Sequence, residues 1–148
     1  MIRAGDTAPD FELLDDTGTA RRLSTELLQG PVVHFFYPGA MTPGCTAEAC
    51  HFRDLAAEFA AVGASRLGVS ADPVHRQREF SEHNDFDYPL LSDPDAGVAA
   101  AYGVTRRFGP PVRRATFVIG TDGVVVEAIS SELRMALHAD KALRALTA

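Results

Sequence analysis

The stretch Val32-Val33-His34-Phe35-Phe36-Tyr37-Pro38-Gly39-Ala40-Met41-Thr42-Pro43-Gly44-Cys45-Thr46-Ala47-Glu48-Ala49-Cys50 decides how this chain reads. It opens with a continuous apolar run, rich in aromatic and β-branched residues, as expected of a central strand covered on both faces. Pro38, Gly39 and Gly44, with Thr42-Pro43, then mark a change from strand to helix. Thr42 is a favoured N-cap, and Pro43 suits the first helical position, where its missing N–H costs nothing. Cys45 falls in the first turn, where unpaired backbone N–H groups and the helix dipole favour an anion. A thiolate is such an anion, so this is a place for a nucleophilic cysteine.

Outward from this stretch the pattern alternates. Ala49, Phe52, Leu55, Ala56, Phe59 and Val62 form one apolar stripe, and Gly63 provides a stop, which predicts a single helix from Pro43 to Val62. Leu67–Ser70 is the next strand, and Asp72-Pro73 opens a helix through about His83. The strand-helix-strand order implies a parallel crossover. Leu90-Leu91 reads as a short strand or loop, and Asp93-Pro94-Asp95 caps a short helix holding Val98 and Tyr102. Residues 105–113 read as a loop. Thr116–Ile119 and Val124–Ile129 are strands around Thr121-Asp122-Gly123, a hairpin signal. Leu133, Leu137, Leu143 and Leu146 predict a closing amphipathic helix over 131–146. Upstream, Phe11–Leu14 and Ala20–Leu23 flank the turn Asp15-Asp16-Thr17-Gly18 as an N-terminal β-hairpin, and Ser24–Leu28 is a single helical turn. The sum is an α/β chain with a mixed sheet covered by helices. It is compatible with a thioredoxin-like fold, although element order alone does not select one.

Composition bounds the function. The 148 residues fit one domain over 1–148, long enough to bury a core without staples. A net charge of −6 argues against a nucleic-acid or anionic-membrane surface. No N-terminal stretch joins a basic region to an apolar run, and none approaches the length of a membrane span, so a cytoplasmic protein is expected. In that compartment the two cysteines point to redox or metal chemistry more than to a structural staple. His34, His51, His75, His83 and His138 form no metal-ligand spacing and read as structural or surface residues.

Pro38-Gly39-Ala40-Met41-Thr42-Pro43-Gly44-Cys45 resembles the peroxiredoxin pattern of Pro, three residues, Thr, two residues, Cys. Thr42 to Cys50 with Phe52-Arg53-Asp54 is similar to the peroxiredoxin Q (bacterioferritin comigratory protein) branch. So are Gly5-Asp6-Thr7-Ala8-Pro9-Asp10-Phe11, Leu90-Leu91-Ser92-Asp93 and Arg114-Ala115-Thr116-Phe117-Val118-Ile119. The resemblance implies a thioredoxin-like fold and a thiol-dependent peroxidase. It makes Cys45 the peroxidatic cysteine, with Pro38, Thr42 and Arg114 completing the peroxide site. Cys50 occupies the resolving position, and a thioredoxin or similar dithiol protein is the implied reductant. No metal, flavin or haem is implied, and a monomer or weak homodimer is expected. Two departures stand out: Gly39-Ala40-Met41 replaces charged or polar residues common in that branch, and Gly120 stands where Asp is usual.

The residue chemistry fits this reading. Thiolate attack on a peroxide shifts charge onto the departing oxygen, so fixed donors around both oxygens stabilise the transition state. The Thr42 hydroxyl, the first-turn amides of Gly44 or Cys45, and the Arg114 guanidinium are candidate donors. Pro38 fixes the loop and screens the sulfur from water. Glu48, three residues after Cys45 on the same helix side, can hold Arg114 in place, though its charge opposes a thiolate. A sulfenic acid on Cys45 can condense with Cys50. Arg113 and Arg114 point to opposite faces of an extended chain; the motif register selects Arg114, leaving Arg113, Arg106 and Arg107 solvated. Two rivals are a thioredoxin-fold copper chaperone, for which an Arg beside the thiolates has no purpose, and a disulfide oxidoreductase, which lacks its Cys-x-x-Cys.

Overall fold

The structure, a computed structural model, describes residues 1–147. Strands β1 (Glu12–Asp15) and β2 (Ala20–Arg22) form the N-terminal hairpin, followed by α1 (Leu23–Glu26), a 3-10 turn (Leu27–Gln29) and β3 (Val32–Phe36). Helices α2 (Pro43–Asp54) and α3 (Ala56–Ala61) lead to β4 (Ser65–Ser70), and α4 (Val74–Asn84) leads to β5 (Leu90–Ser92). After α5 (Gly97–Ala101), the hairpin β6 (Ala115–Ile119) and β7 (Val125–Ser130) precedes α6 (Met135–Thr147). The seven strands form one mixed sheet in the order β2-β1-β5-β4-β3-β6-β7. β3 sits between β4, its parallel partner, and β6, its antiparallel partner.

The apolar run of β3 is buried at every position, and alternation sends it into two cores. Val32 and Phe36 face one core with Leu67, Val69, Phe117 and Tyr102. Val33, Phe35 and Tyr37 face the other, where α2, α4 and α6 supply Cys45, Ala49, Phe52, Phe80, Ala139 and Ala142. Gly68 in β4 permits this packing: a Cβ there would sit 2.7 Å from Leu90 Cδ2 and 3.1 Å from Phe35 Cζ. The N-terminal hairpin is closed by Asp15, whose Oδ1 accepts from the Thr17 and Thr19 amides at 2.8 and 3.0 Å. Gly123 closes the later hairpin at φ 80°.

Two elements depart from the sequence pattern. The helix predicted from Pro43 to Val62 is divided at Leu55 (φ −95°, ψ 20°). At this break Arg66 Nη1, from β4, donates to Phe52 O at 2.8 Å, the carbonyl that the Ala56 amide would use in a continuous helix. The closing helix starts at Met135 rather than Ser131, and Leu133 is 89% exposed, outside the apolar stripe. Ser131 Oγ accepts the Arg134 amide at 3.1 Å, so 131–134 is a capped turn, and the buried face is His138, Ala139 and Ala142. Leu23, predicted to end the return strand, instead begins α1.

Candidate active site at the head of α2

The loop from Tyr37 to Thr42 carries the chain from the end of β3 into α2. Tyr37 N extends the β3–β4 pairing by donating to Val69 O at 3.0 Å. The Ala40 amide donates to Asp72 Oδ2 at 2.7 Å, and Ser70 Oγ donates to the same oxygen at 2.6 Å, which fastens the loop to the end of β4. Met41 takes the left-handed conformation at φ 68°. Thr42 then returns to extended backbone as the N-cap residue, with Pro43 at the start of the helix. Its hydroxyl makes no capping bond; it donates to Gly39 O at 2.8 Å and makes no hydrogen bond to the sulfur. The expected side-chain cap is therefore corrected: the hydroxyl closes the loop instead. Pro38 is half-buried at the loop's start.

Cys45 lies in the first turn and is 1% exposed. Arg114, immediately before β6, places Nη2 3.3 Å from Cys45 Sγ and donates from Nη1 to Glu48 Oε1 at 2.8 Å. Gly44 makes room for this: a Cβ there would meet Arg114 Nη2 at 3.3 Å and Met135 Cε at 3.4 Å. Arg113, the neighbour in sequence, is exposed. Cys50 is half-buried on α2, and its thiol donates to Asn84 Oδ1 at 3.7 Å. Both cysteines are free thiols.

Three further residues complete the surroundings, none of them selected by the sequence. Glu132 Oε1 accepts the Arg114 amide at 3.0 Å and Arg106 Nη2 at 2.7 Å. Arg106 is thus half-buried in an ion pair rather than fully solvated. His138 is buried, its Nδ1 lying 2.8 Å from Thr116 Oγ1 and 3.6 Å from Glu48 Oε2. Met135, half-buried on α6, lies over Gly44. Their only sequence signal is a place in the last helix or its approach, and that segment meets the site through the fold alone.

Burial governs the charges. It pushes the Glu48 carboxyl up to about 8 against the pull of Arg114, with Glu132 adding to the rise. It lowers the His138 imidazole, and the Arg114 charge lowers it further. Burial works against the Arg114 charge, but Glu48 and Cys45 more than restore it. Among the described residues, no three His, Cys, Asp or Glu side chains are arranged to hold a metal ion. No described helix is long and apolar enough to cross a membrane.

A cysteine in a helical first turn at the carboxyl end of a central strand, faced by a buried arginine, defines an α/β thiol enzyme of thioredoxin-like fold. Comparison with known proteins gives the family. The profile of the AhpC/TSA family matches residues 4–128, and the chain belongs to that family. It is 61% identical to the peroxidoxin BcpB of Mycobacterium tuberculosis, whose crystal structure superposes with a TM-score of 0.95 over 99% of this chain and 97% of that one. The bacterioferritin comigratory protein of Xanthomonas campestris, solved in work on its alkyl peroxide reduction activity, is 34% identical, with a TM-score of 0.85 over 93% and 90% of the two chains. Chloroplastic peroxiredoxin Q of Oryza sativa subsp. japonica is 36% identical, over 98% of this chain and 67% of its own length. The resemblance read from the sequence and the thioredoxin-like peroxiredoxin fold it implied both stand.

Proposed function

We propose that this chain is a thiol peroxidase that reduces hydrogen peroxide and small organic hydroperoxides at Cys45. The observation that carries the reading is the 3.3 Å contact between Arg114 Nη2 and the buried Cys45 Sγ. A fixed cation beside the sulfur is already in place to stabilise the charge that moves to the leaving oxygen. Glu48 is a positioning residue for Arg114, and Pro38 shapes the loop above the sulfur. The first-turn amides of Gly44 and Cys45, which have no intrahelical carbonyl partner, are further donors. Thr42 contributes its hydroxyl after rotation away from Gly39. The sulfur attacks one peroxide oxygen, the O–O bond breaks, and Cys45 becomes a sulfenic acid.

Cys50 then condenses with that sulfenic acid, releasing water and forming a disulfide. A dithiol protein of the thioredoxin type reduces it. The reading includes a cytoplasmic setting, one domain over 1–148, and a monomer or weak homodimer. Copper delivery is the weaker alternative, because the same guanidinium would oppose a cation bound at Cys45.

The test is peroxide consumption by the metal-free protein coupled to thioredoxin, thioredoxin reductase and NADPH. Turnover is expected with the wild type and none with Cys45→Ser, because a hydroxyl at its ordinary pKa is a poor nucleophile. Undiminished turnover in that variant would overturn the assignment.

A further inference from the structure

Behind the Arg114–Glu48 contact lies an unfinished pairing. Glu48 Oε1 is taken by Arg114, but Oε2 is buried and has no hydrogen-bond partner. The group facing it is His138 Nδ1, at 3.6 Å, and both side chains are 0% exposed. The other contacts of His138 fix its tautomer. Nε2 lies 2.8 Å from Ser131 O, which only accepts, so Nε2 carries a proton. In a neutral ring Nδ1 is then a lone pair, accepting from the Thr116 hydroxyl at 2.8 Å or from a protonated Oε2. With Glu48 ionised and the ring neutral, Nδ1 is served by the Thr116 hydroxyl, while the anionic Oε2 is in conflict with a dry site that offers it no donor. One proton, on Oε2 or Nδ1, removes that conflict.

Charge leads to the same count. The Arg114 guanidinium contacts Cys45 and Glu48, His138 lies against Glu48, and Glu132 stands at the rim, its Oε1 already bound to the Arg114 amide and to Arg106. With a Cys45 thiolate and one proton shared by Glu48 and His138, the buried set is neutral. Without that proton it holds an uncompensated buried negative charge.

We propose that His138 is a positioning residue of the peroxide site that acts through Glu48: the two hold one proton while Cys45 is a thiolate and release it once the sulfur is oxidised. The inference rests on Cys45 being the peroxidatic thiol. In that step the S–O bond forms and the O–O bond breaks; sulfur is oxidised, the peroxide is reduced, and the leaving oxygen takes a proton from water. The sulfenic acid is neutral, so Arg114 is left with excess positive charge. The shared proton departs to solvent, and Glu48 becomes the carboxylate that balances Arg114. One proton is taken up and one released. Burial raises the Glu48 carboxyl and lowers the imidazole, which puts the resting proton on Glu48.

Difference infrared spectroscopy tests this in Cys50→Ser protein, where oxidation stops at the sulfenic acid. Reduced protein against protein given one equivalent of hydrogen peroxide is expected to lose the carbonyl stretch of a buried protonated carboxylic acid. That signal is absent when Glu48→Gln is added, and weakened and shifted when His138→Leu is added. His138→Leu is also expected to slow Cys45 oxidation about tenfold and to move the alkaline fall of that rate to lower pH. His138→Asn, which keeps a hydrogen-bonding group near the position of Nδ1, recovers most of the rate. If Cys45 gains one oxygen by mass with no carboxyl signal lost, the proposal is overturned. A wild-type rate and pH profile in His138→Leu, with lowered thermal stability alone, overturns it equally. If Cys45 gains no oxygen at all, the peroxidase reading itself fails, and the two outcomes are distinct.

Discussion

The Cys50 thiol is partnered by Asn84 Oδ1 at 3.7 Å, while Cys45 is held by Arg114 at 3.3 Å, so the two sulfurs are engaged by different parts of the fold. Both belong to α2, which runs unbroken from Pro43 to Asp54. Five residues of regular helix separate Cα atoms by about 7.5 Å along the axis and about 140° around it. That puts them roughly 8–9 Å apart, beyond the limit of about 7 Å for a disulfide. The folded helix can present Cys45 to peroxide, but it cannot join it to Cys50.

Formation of the proposed disulfide therefore requires the first turns of α2 to unwind. The structure sets where unwinding stops. Phe52 stacks on Phe35 with ring centroids 4.2 Å apart, and Arg66 holds the Phe52 carbonyl. Arg53 Nη1 binds Asn84 O at 2.7 Å, whereas Ala49, a small side chain in the core, has its carbonyl bound by the Tyr88 hydroxyl at 2.6 Å. Hydrogen exchange on oxidised against reduced protein is expected to show lost protection over residues 44–50, with Phe52 onward and β3 retained. The cost is a few kcal/mol, as for other local openings. An oxidised protein with 44–50 still fully protected would exclude this.

Cys50→Ser is expected to leave the first oxidation of Cys45 at wild-type rate and to stop recycling through thioredoxin. Mass analysis after one equivalent of peroxide should find Cys45 carrying one oxygen. Normal cycling in this variant would assign resolution to an external thiol.

Arg114→Ala removes the donor at the sulfur and is expected to cost about 3–4 kcal/mol in transition-state stabilisation, read from the rate of Cys45 oxidation. It also strands the buried Glu48 carboxyl, so chemical denaturation should show lower stability. Arg113→Ala, at an exposed side chain, should change neither appreciably. Equal losses at the two positions would contradict the geometry.

His34 makes an acid-sensitive contribution to stability. It is 0% exposed among the rings of Phe11, Phe36, Tyr102 and Phe117, and neither ring nitrogen has a partner. Burial pushes its pKa from 6.5 down to about 3. The unfolded chain therefore takes up a proton that the native state refuses. The His34 contribution to stability falls as pH drops from about 6.5 towards 3, by about 1.4 kcal/mol per unit, and no further below that. His34→Phe should gain about 3 kcal/mol over the wild type at about pH 4.5 relative to about pH 8, in urea unfolding. Parallel pH dependences in the two proteins would refute this.

Local chemistry was sufficient for the head of the site. Tyr37 to Cys45 declares a strand end, a proline-opened helix and a first-turn cysteine, because turn formers, capping preferences and helix periodicity act within a few residues. The same is true of the Asp122-Gly123 hairpin and of β3, whose unbroken apolar run announces burial on both faces. Only the tertiary structure decided that Arg66 meets the carbonyl of Phe52 where the helix divides after Asp54. It also decided that Thr42 bonds Gly39 rather than a helix amide, and that Leu133 stays in solvent. The meeting of Glu48 with His138, 90 positions on in the numbering, is of the same kind. It depends on α6 packing across α2 beside the β6–β7 hairpin, and no short-range propensity encodes which buried oxygen will face which ring.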